Sequence, residues 1–261
     1  MSLQHKHEQE DQRGAASAVI GATPTGASDE ASASVAVREM FNSIAARYDL
    51  LNHMLSMNVD RLWWNRAART FRVVLNRPGA KVLDLCCGTG DMTFALQRRM
   101  SASSQGLFGA DFSHPMLVRA KEKTGTRRVS WIEADALNLP FATDQFDLIT
   151  VAFGFRNLVN YDHGLAEIFR VLKSEGEVGI LDFGEPKGLL GSIYRVYFRH
   201  VLPAIGTVIS GVRGPYAYLP KSVQRFPAPE EMLERMKAAG FREVSWTPYT
   251  FGIAGLYRGR K

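Results

Sequence analysis

The apolar positions change their spacing along the chain, and those changes mark out the elements. From Arg38 onward Met40, Ile44, Tyr48, Leu51 and Leu55 recur at three- and four-residue steps, and a second run spans Val59 to Leu75, so helices precede the first strand. Arg77-Pro78-Gly79 breaks the pattern. Lys81 to Cys86 is a short apolar run ending in Gly88-Thr89-Gly90, which reads as a buried strand entering a glycine turn. The chain then alternates: helix 91–99, strand 106–111, helix 115–123, strands 129–133 and 146–151, helix 162–173, strand 177–183. In the 162–173 segment Leu165, Ile168, Phe169 and Leu172 share one helical face. A last helix, 229–239, stops at Gly240, and two strand-like runs follow at 241–247 and 249–257. This pattern predicts an α/β fold: a mainly parallel sheet, helices on both faces and an antiparallel C-terminal hairpin at its edge.

Composition changes the picture at the N-terminus. Of the 23 residues from Gly14 to Ala36, 17 are Ala, Ser, Gly or Thr, and no aromatic precedes Phe41. Such a stretch buries too little apolar area to offset its ordering entropy, so residues 1–36 are expected to be a disordered tail before one domain, 37–261. With 46% apolar residues in 261, the body can build a core of enzyme size. The longest apolar run, Val201 to Val212, contains Pro203, Gly206 and Gly211 and is too short to span a bilayer. With no secretory signal in the first residues, a cytoplasmic protein is expected. The two cysteines, Cys86 and Cys87, are neighbours and offer no disulfide framework.

The net charge of +6 conceals an asymmetry, because residues 1–37 carry two basic and five acidic side chains and the remainder is therefore +9. A basic body attracts nucleic acid, an anionic membrane surface or an acidic ligand, and charge does not choose among them.

The candidate chemistry gathers at the ends of the first strands, where ligands bind in open parallel sheets. Gly88 and Gly90 allow a tight turn and a close approach to a ligand. Asp111, 23 residues beyond Gly88, ends the second strand, where a carboxylate can hold two ribose hydroxyls, and Asp135 follows the third. Thr93 stands where a dinucleotide fingerprint needs glycine. Asp91, at the helix start, repels phosphate but suits the ammonium and sulfonium of S-adenosylmethionine, so the expected cofactor is a cationic nucleoside without phosphates. No metal, acyl-transfer or phosphate-loop motif accompanies it.

At this point residues 38–261 resemble the C-methyltransferases of menaquinone and ubiquinone biosynthesis. The resemblance rests on Phe41-Asn42-Ser43-Ile44-Ala45 leading to Tyr48-Asp49 and Asn52, on Asp60 and Trp63, on Leu83 to Asp91, and on Phe153-Gly154-Phe155-Arg156-Asn157. It continues through Arg170 to Lys173, Phe226-Pro227 and Gly252-Ile253-Ala254. It implies a Rossmann-like class I methyltransferase fold and S-adenosyl-L-methionine contacts at Thr89, Asp111, Asp135 and Ala136. Ala152 replaces a serine often found in the family, which removes a hydroxyl contact.

The implied reaction is methylation of a quinol ring carbon bearing a polyprenyl tail, demethylmenaquinol first, with a benzoquinol or another small aromatic as alternatives. Ring deprotonation would be helped by a cation, for which Arg156 is the candidate; Tyr48 and Asp49 are lesser ones. A carboxylate partner for Arg156 and core packing for Tyr48 are the competing readings. Residues 186–229, basic and aromatic, read as a substrate-covering insertion with peripheral contact at a membrane surface. A nucleic-acid methyltransferase is disfavoured by the missing Asn/Asp-Pro-Pro-aromatic block, a non-catalytic cofactor-binding subunit stays open, and so does oligomerisation.

Overall fold

The computed structural model describes residues 21–24, 26–46, 48, 56, 58–104, 106–126, 128–184, 186, 191 and 215–261. Asp49 and most of the 186–229 insertion lie outside the described residues.

Seven strands form one sheet: β1 (Lys81–Leu85), β2 (Gly106–Asp111), β3 (Ser130–Glu133), β4 (Phe146–Ala152), β5 (Leu172–Phe183), β6 (Arg242–Tyr249) and β7 (Ala254–Arg260). Their order is β3-β2-β1-β4-β5-β7-β6. The first five are parallel, and β7 runs antiparallel between β5 and the edge strand β6. The order reverses between β1 and β4, which leaves a crevice above their carboxyl ends.

The helices are α1 (Glu30–Ile44), α2 (Val59–Thr70), α3 (Arg72–Leu75), α4 (Asp91–Gln97), α5 (His114–Thr124), α6 (Tyr161–Val171), α7 (Pro215–Arg225) and α8 (Pro229–Ala238). Alternate strand residues serve opposite faces. Leu83, Leu85, Ile149 and Val178 pack with Leu165 and Ile168 of α6 and with α8, whereas Val82, Leu148 and Leu181 pack with Trp63 and Ala67 of α2 and Leu96 of α4.

Three boundaries differ from the sequence reading. The 59–75 helix is interrupted at Phe71, whose φ/ψ of −92°/14° ends α2 before α3 begins. The 162–173 helix gives way to strand at Leu172, because β5 starts early and takes a bulge against Phe146 and Leu148. The largest correction concerns the tail, since residues 30–36 are the first turns of α1. Asp29 caps them by accepting from the Ser32 N–H (2.7 Å), while its own N–H donates to Ser32 Oγ (3.2 Å). Ala33 and Val37 are buried, and the Ala22 N–H donates to the Leu158 carbonyl (2.8 Å). Alanine, counted as a sign of disorder, is the strongest helix former, and tertiary contact supplied what composition lacked.

Deleting residues 1–34 is therefore expected to lower the melting temperature by roughly 5 °C relative to a chain starting at residue 21, at about 2–4 °C per kcal/mol for a chain of this size. Differential scanning calorimetry of the two truncations checks it, and equal melting temperatures would return these residues to the status of a tail.

Candidate active site

A cleft of about 710 Å³ opens over the carboxyl ends of β1 to β4. Backbone geometry builds its floor. Gly88 and Gly90 adopt positive φ of 54° and 90°, and a Cβ on Gly90 would come within 2.8 Å of the Trp131 ring. Gly154 is needed on steric grounds instead, because a Cβ there would collide with Cys86. The turn thus requires glycine both for conformation and for space.

Asp111 is the polar anchor. Its Oδ2 accepts from the Gly88 N–H (2.8 Å) and its Oδ1 from the Ser113 N–H (2.9 Å), so the carboxylate ties the glycine turn to the end of β2. It is 6% exposed, and burial pushes its pKa up to about 6 against the opposing pull of those backbone donors. Asp111 lines the cleft and each oxygen keeps lone-pair capacity beyond its backbone donor, which is the chemistry a vicinal diol needs. Asp135 also lines the cleft, and its Oδ1 accepts from the Leu137 N–H (2.9 Å). Below the floor, Asp84 is fully buried and accepts from Thr93 (2.5 Å) and Thr150 (2.8 Å), pinning α4 and β4 to β1, and burial raises its pKa to about 7. Burial likewise pushes the thiols of Cys86 and Cys87 well up, which disfavours a nucleophilic thiolate.

Of the residues singled out from sequence, Tyr48, Gly88, Asp111, Asp135, Ala136 and Ala152 meet in this cleft. Thr89 and Gly90 belong to the turn but not to the cleft wall. Asp91 is not in the wall either: it pairs with Lys123 of α5 (2.9 Å), which also donates to Thr89 Oγ1 (3.1 Å). Its carboxylate therefore fastens α4 to α5.

Arg156 is likewise held by a carboxylate. It sits in the 3-10 turn Phe155–Asn157 after β4, 6% exposed, and its guanidinium donates to Asp182 Oδ1 (2.9 Å) and to the Phe153 carbonyl. Asp182 also accepts from the Arg156 backbone N–H (3.1 Å), and the guanidinium lies 5.1 Å from the centroid of the Phe183 ring. The carboxylate partner weighed for Arg156 is therefore present in Asp182, and the pair ties the turn after β4 to the end of β5.

Sequence reasoning missed the contribution of α1, whose Ser34, Val37 and Phe41 close one side of the cleft. The spacing of Val37, Phe41 and Ile44 along one helical face was the available signal. It also quoted Asn157 without giving it a role. Asn157 lines the cleft, is 9% exposed, and its Oδ1 has no hydrogen-bond partner among the described residues. Tyr48 lies across the glycine turn, its ring 3.8 Å from where a Gly88 Cβ would stand, and meets Phe41 edge-on at 6.2 Å.

A doubly wound sheet with an inserted antiparallel strand, a glycine turn after β1 and a buried carboxylate at the end of β2 define a Rossmann-like methyltransferase fold. A crystal structure of a SAM-dependent methyltransferase from Thermotoga maritima shares it, with a TM-score of 0.61 at 20% identity over 85% of this chain and 99% of that one. The chain belongs to the ubiE/COQ5 methyltransferase family, whose model matches residues 27–261. It is 47% identical over 229 residues to the demethylmenaquinone methyltransferase of Deinococcus radiodurans, covering 87% of this chain and 92% of that one. With the demethylmenaquinone methyltransferase of Thermus thermophilus it shares 46% identity over 223 residues, 84% of this chain and 99% of the other.

Proposed function

We propose that this protein transfers a methyl group from S-adenosylmethionine to a ring carbon of a reduced polyprenylated naphthoquinone, converting demethylmenaquinol to menaquinol. The observation that carries the reading is the two-sided chemistry of the cleft. Asp111 and Asp135 serve a nucleoside on the β2 and β3 side, while Phe153, Leu158 and Val159 make the opposite wall apolar around the orphan Asn157 Oδ1. The names of the two bacterial relatives support the same substrate.

When bound, the donor would supply an electrophilic methyl on a sulfonium; the ring carbon would gain that methyl, its proton would pass to solvent water, and the sulfonium would become a thioether. Asp111 accepts the ribose hydroxyls and fixes the donor's position. Asn157 Oδ1 accepts from a quinol hydroxyl, which orients the ring and satisfies an otherwise unpaired buried oxygen. An oxidised quinone has no hydroxyl to donate. The apolar wall excludes water, and a transfer that consumes charge is favoured there.

Anaerobic incubation with labelled donor and short-chain demethylmenaquinol should give menaquinol, and the oxidised quinone should not react. Asn157→Leu should raise KM for the quinol about tenfold and leave the donor Kd unchanged, one hydrogen bond being worth about 1 kcal/mol or more. Turnover of soluble phenols or of the benzoquinol in preference to demethylmenaquinol would replace the substrate assignment.

A further inference from the structure

Helix α2 has two unlike sides. Trp63, Trp64, Ala67 and Ala68 are buried, while Arg61, Leu62, Arg66 and Arg69 face out, and α3 adds exposed Arg72 and Val73. Leu62, Arg66, Arg69 and Val73 are spaced to follow one outward stripe. Leu62 is 67% exposed and Val73 73%. None of the four guanidinium groups pairs with a carboxylate among the described residues; that of Arg66 lies over the Tyr249 ring, 4.2 Å from its centroid.

A third exposed apolar group lies in the turn between β6 and β7, two residues beyond the Tyr249 ring that Arg66 covers. Phe251 is 80% exposed and holds a left-handed backbone, φ 58° and ψ 22°, a conformation that costs a bulky side chain energy and here presents the ring to solvent. The turn is fastened to α2 where the Trp63 indole N–H donates to Thr250 Oγ1 (2.8 Å). On its other side Trp63 packs against Phe153, 5.8 Å between centroids, and Phe153 lines the cleft. The basic and apolar face and the cleft therefore share one aromatic wall.

We propose that α2, α3 and Phe251 form a docking face for an anionic lipid bilayer, with Leu62, Val73 and Phe251 entering the headgroup boundary and Arg61, Arg66, Arg69 and Arg72 meeting lipid phosphates. Charge decides the occupant. A second copy of this chain would bring the same four arginines into repulsion, and a nucleic acid would leave three exposed apolar side chains unused. An anionic bilayer satisfies both halves of the face. The purpose of the docking, delivery of a membrane-dissolved quinol to the cleft, rests on the substrate proposed above. The face itself does not.

Co-sedimentation of the full chain with vesicles tests it. Binding to phosphatidylcholine vesicles containing one third phosphatidylglycerol should exceed binding to phosphatidylcholine alone by about tenfold or more and weaken with salt. Arg61→Gln with Arg69→Gln should lower the partition coefficient by more than about tenfold, each arginine contributing about fivefold. Phe251→Gly should also weaken binding several-fold while the melting temperature holds or rises, because glycine accepts the left-handed backbone. A merely structural role would move stability and binding together. Turnover of a short-chain quinol in solution should be unchanged in all variants. Equal binding to both vesicle types, or variants that sediment like the parent, would overturn the docking face, as would tight binding of an RNA duplex without vesicle binding. Vesicle binding without quinol methylation would refute the substrate alone, and methylation of soluble quinol without vesicle binding would refute the docking alone.

Discussion

Asp111→Ala is expected to weaken S-adenosylmethionine binding about a hundredfold and to lower the melting temperature as well. Hydrogen bonds to a charged acceptor are worth about 1.5–3 kcal/mol each, so loss of the diol contacts costs roughly 3 kcal/mol of binding. The stability loss has a separate origin, because the Gly88 and Ser113 N–H groups lose their acceptor inside a nearly closed site. A strand-end carboxylate looks dispensable to the fold from sequence, but its burial makes it a tie between β2 and the turn. Asp111→Asn should fall between, since it keeps one accepting oxygen. The raised pKa of about 6 sets a pH dependence. The folded state holds this proton more tightly than the unfolded chain, so the contribution to folding is full below the ordinary carboxylate range and is lost as pH rises through about 6. Donor binding runs the other way: it needs the ionised acceptor and should weaken as pH falls through about 6. Titration calorimetry at pH 5 and pH 8 checks both statements, and an unchanged affinity for Asp111→Ala would withdraw the diol assignment.

Arg156→Met should cost about 3–5 kcal/mol of stability, the range for leaving one member of a buried ion pair alone. Asp182 is fully buried and would be left, among the described residues, with the backbone N–H groups of Arg156 and Phe183 as donors. Arg156→Met combined with Asp182→Leu should recover much of the loss, because two apolar groups of similar volume remove the unpaired charge. Arg156→Lys should recover only part, since a point charge cannot reach both Asp182 and the Phe153 carbonyl as a planar fork does. Urea denaturation of the four proteins gives the comparison. A stable Arg156→Met protein with slow transfer at saturating donor and quinol would instead restore a direct role in the chemistry.

These two residues show what was readable along the chain and what was not. The place of Asp111 in the cleft was readable because it depends on local order: a strand, its last residue and a glycine turn 23 positions earlier. The role of Arg156 depends on Asp182, 26 residues away on a strand that only the sheet makes adjacent. The partner of Asp91 was equally out of reach of a linear reading, since Lys123 comes to it from α5 across the turn.

The order of elements, the parallel sheet with its reversed hairpin, the glycine turn and the acids at the ends of β2 and β3 were all determined by local pattern. Hydrophobic period and turn chemistry act over a few residues, and a linear reading registers them. Three outcomes were decided by tertiary structure: which charged groups face the cleft and which pair with one another, that an alanine-rich segment folds into the helix closing that cleft, and that the Asn157 Oδ1 inside it has no partner among the described residues. Each turns on burial against a partner remote in sequence. Desolvation sets the energy of a charge or a polar atom, and it exists only once the distant elements have packed around it.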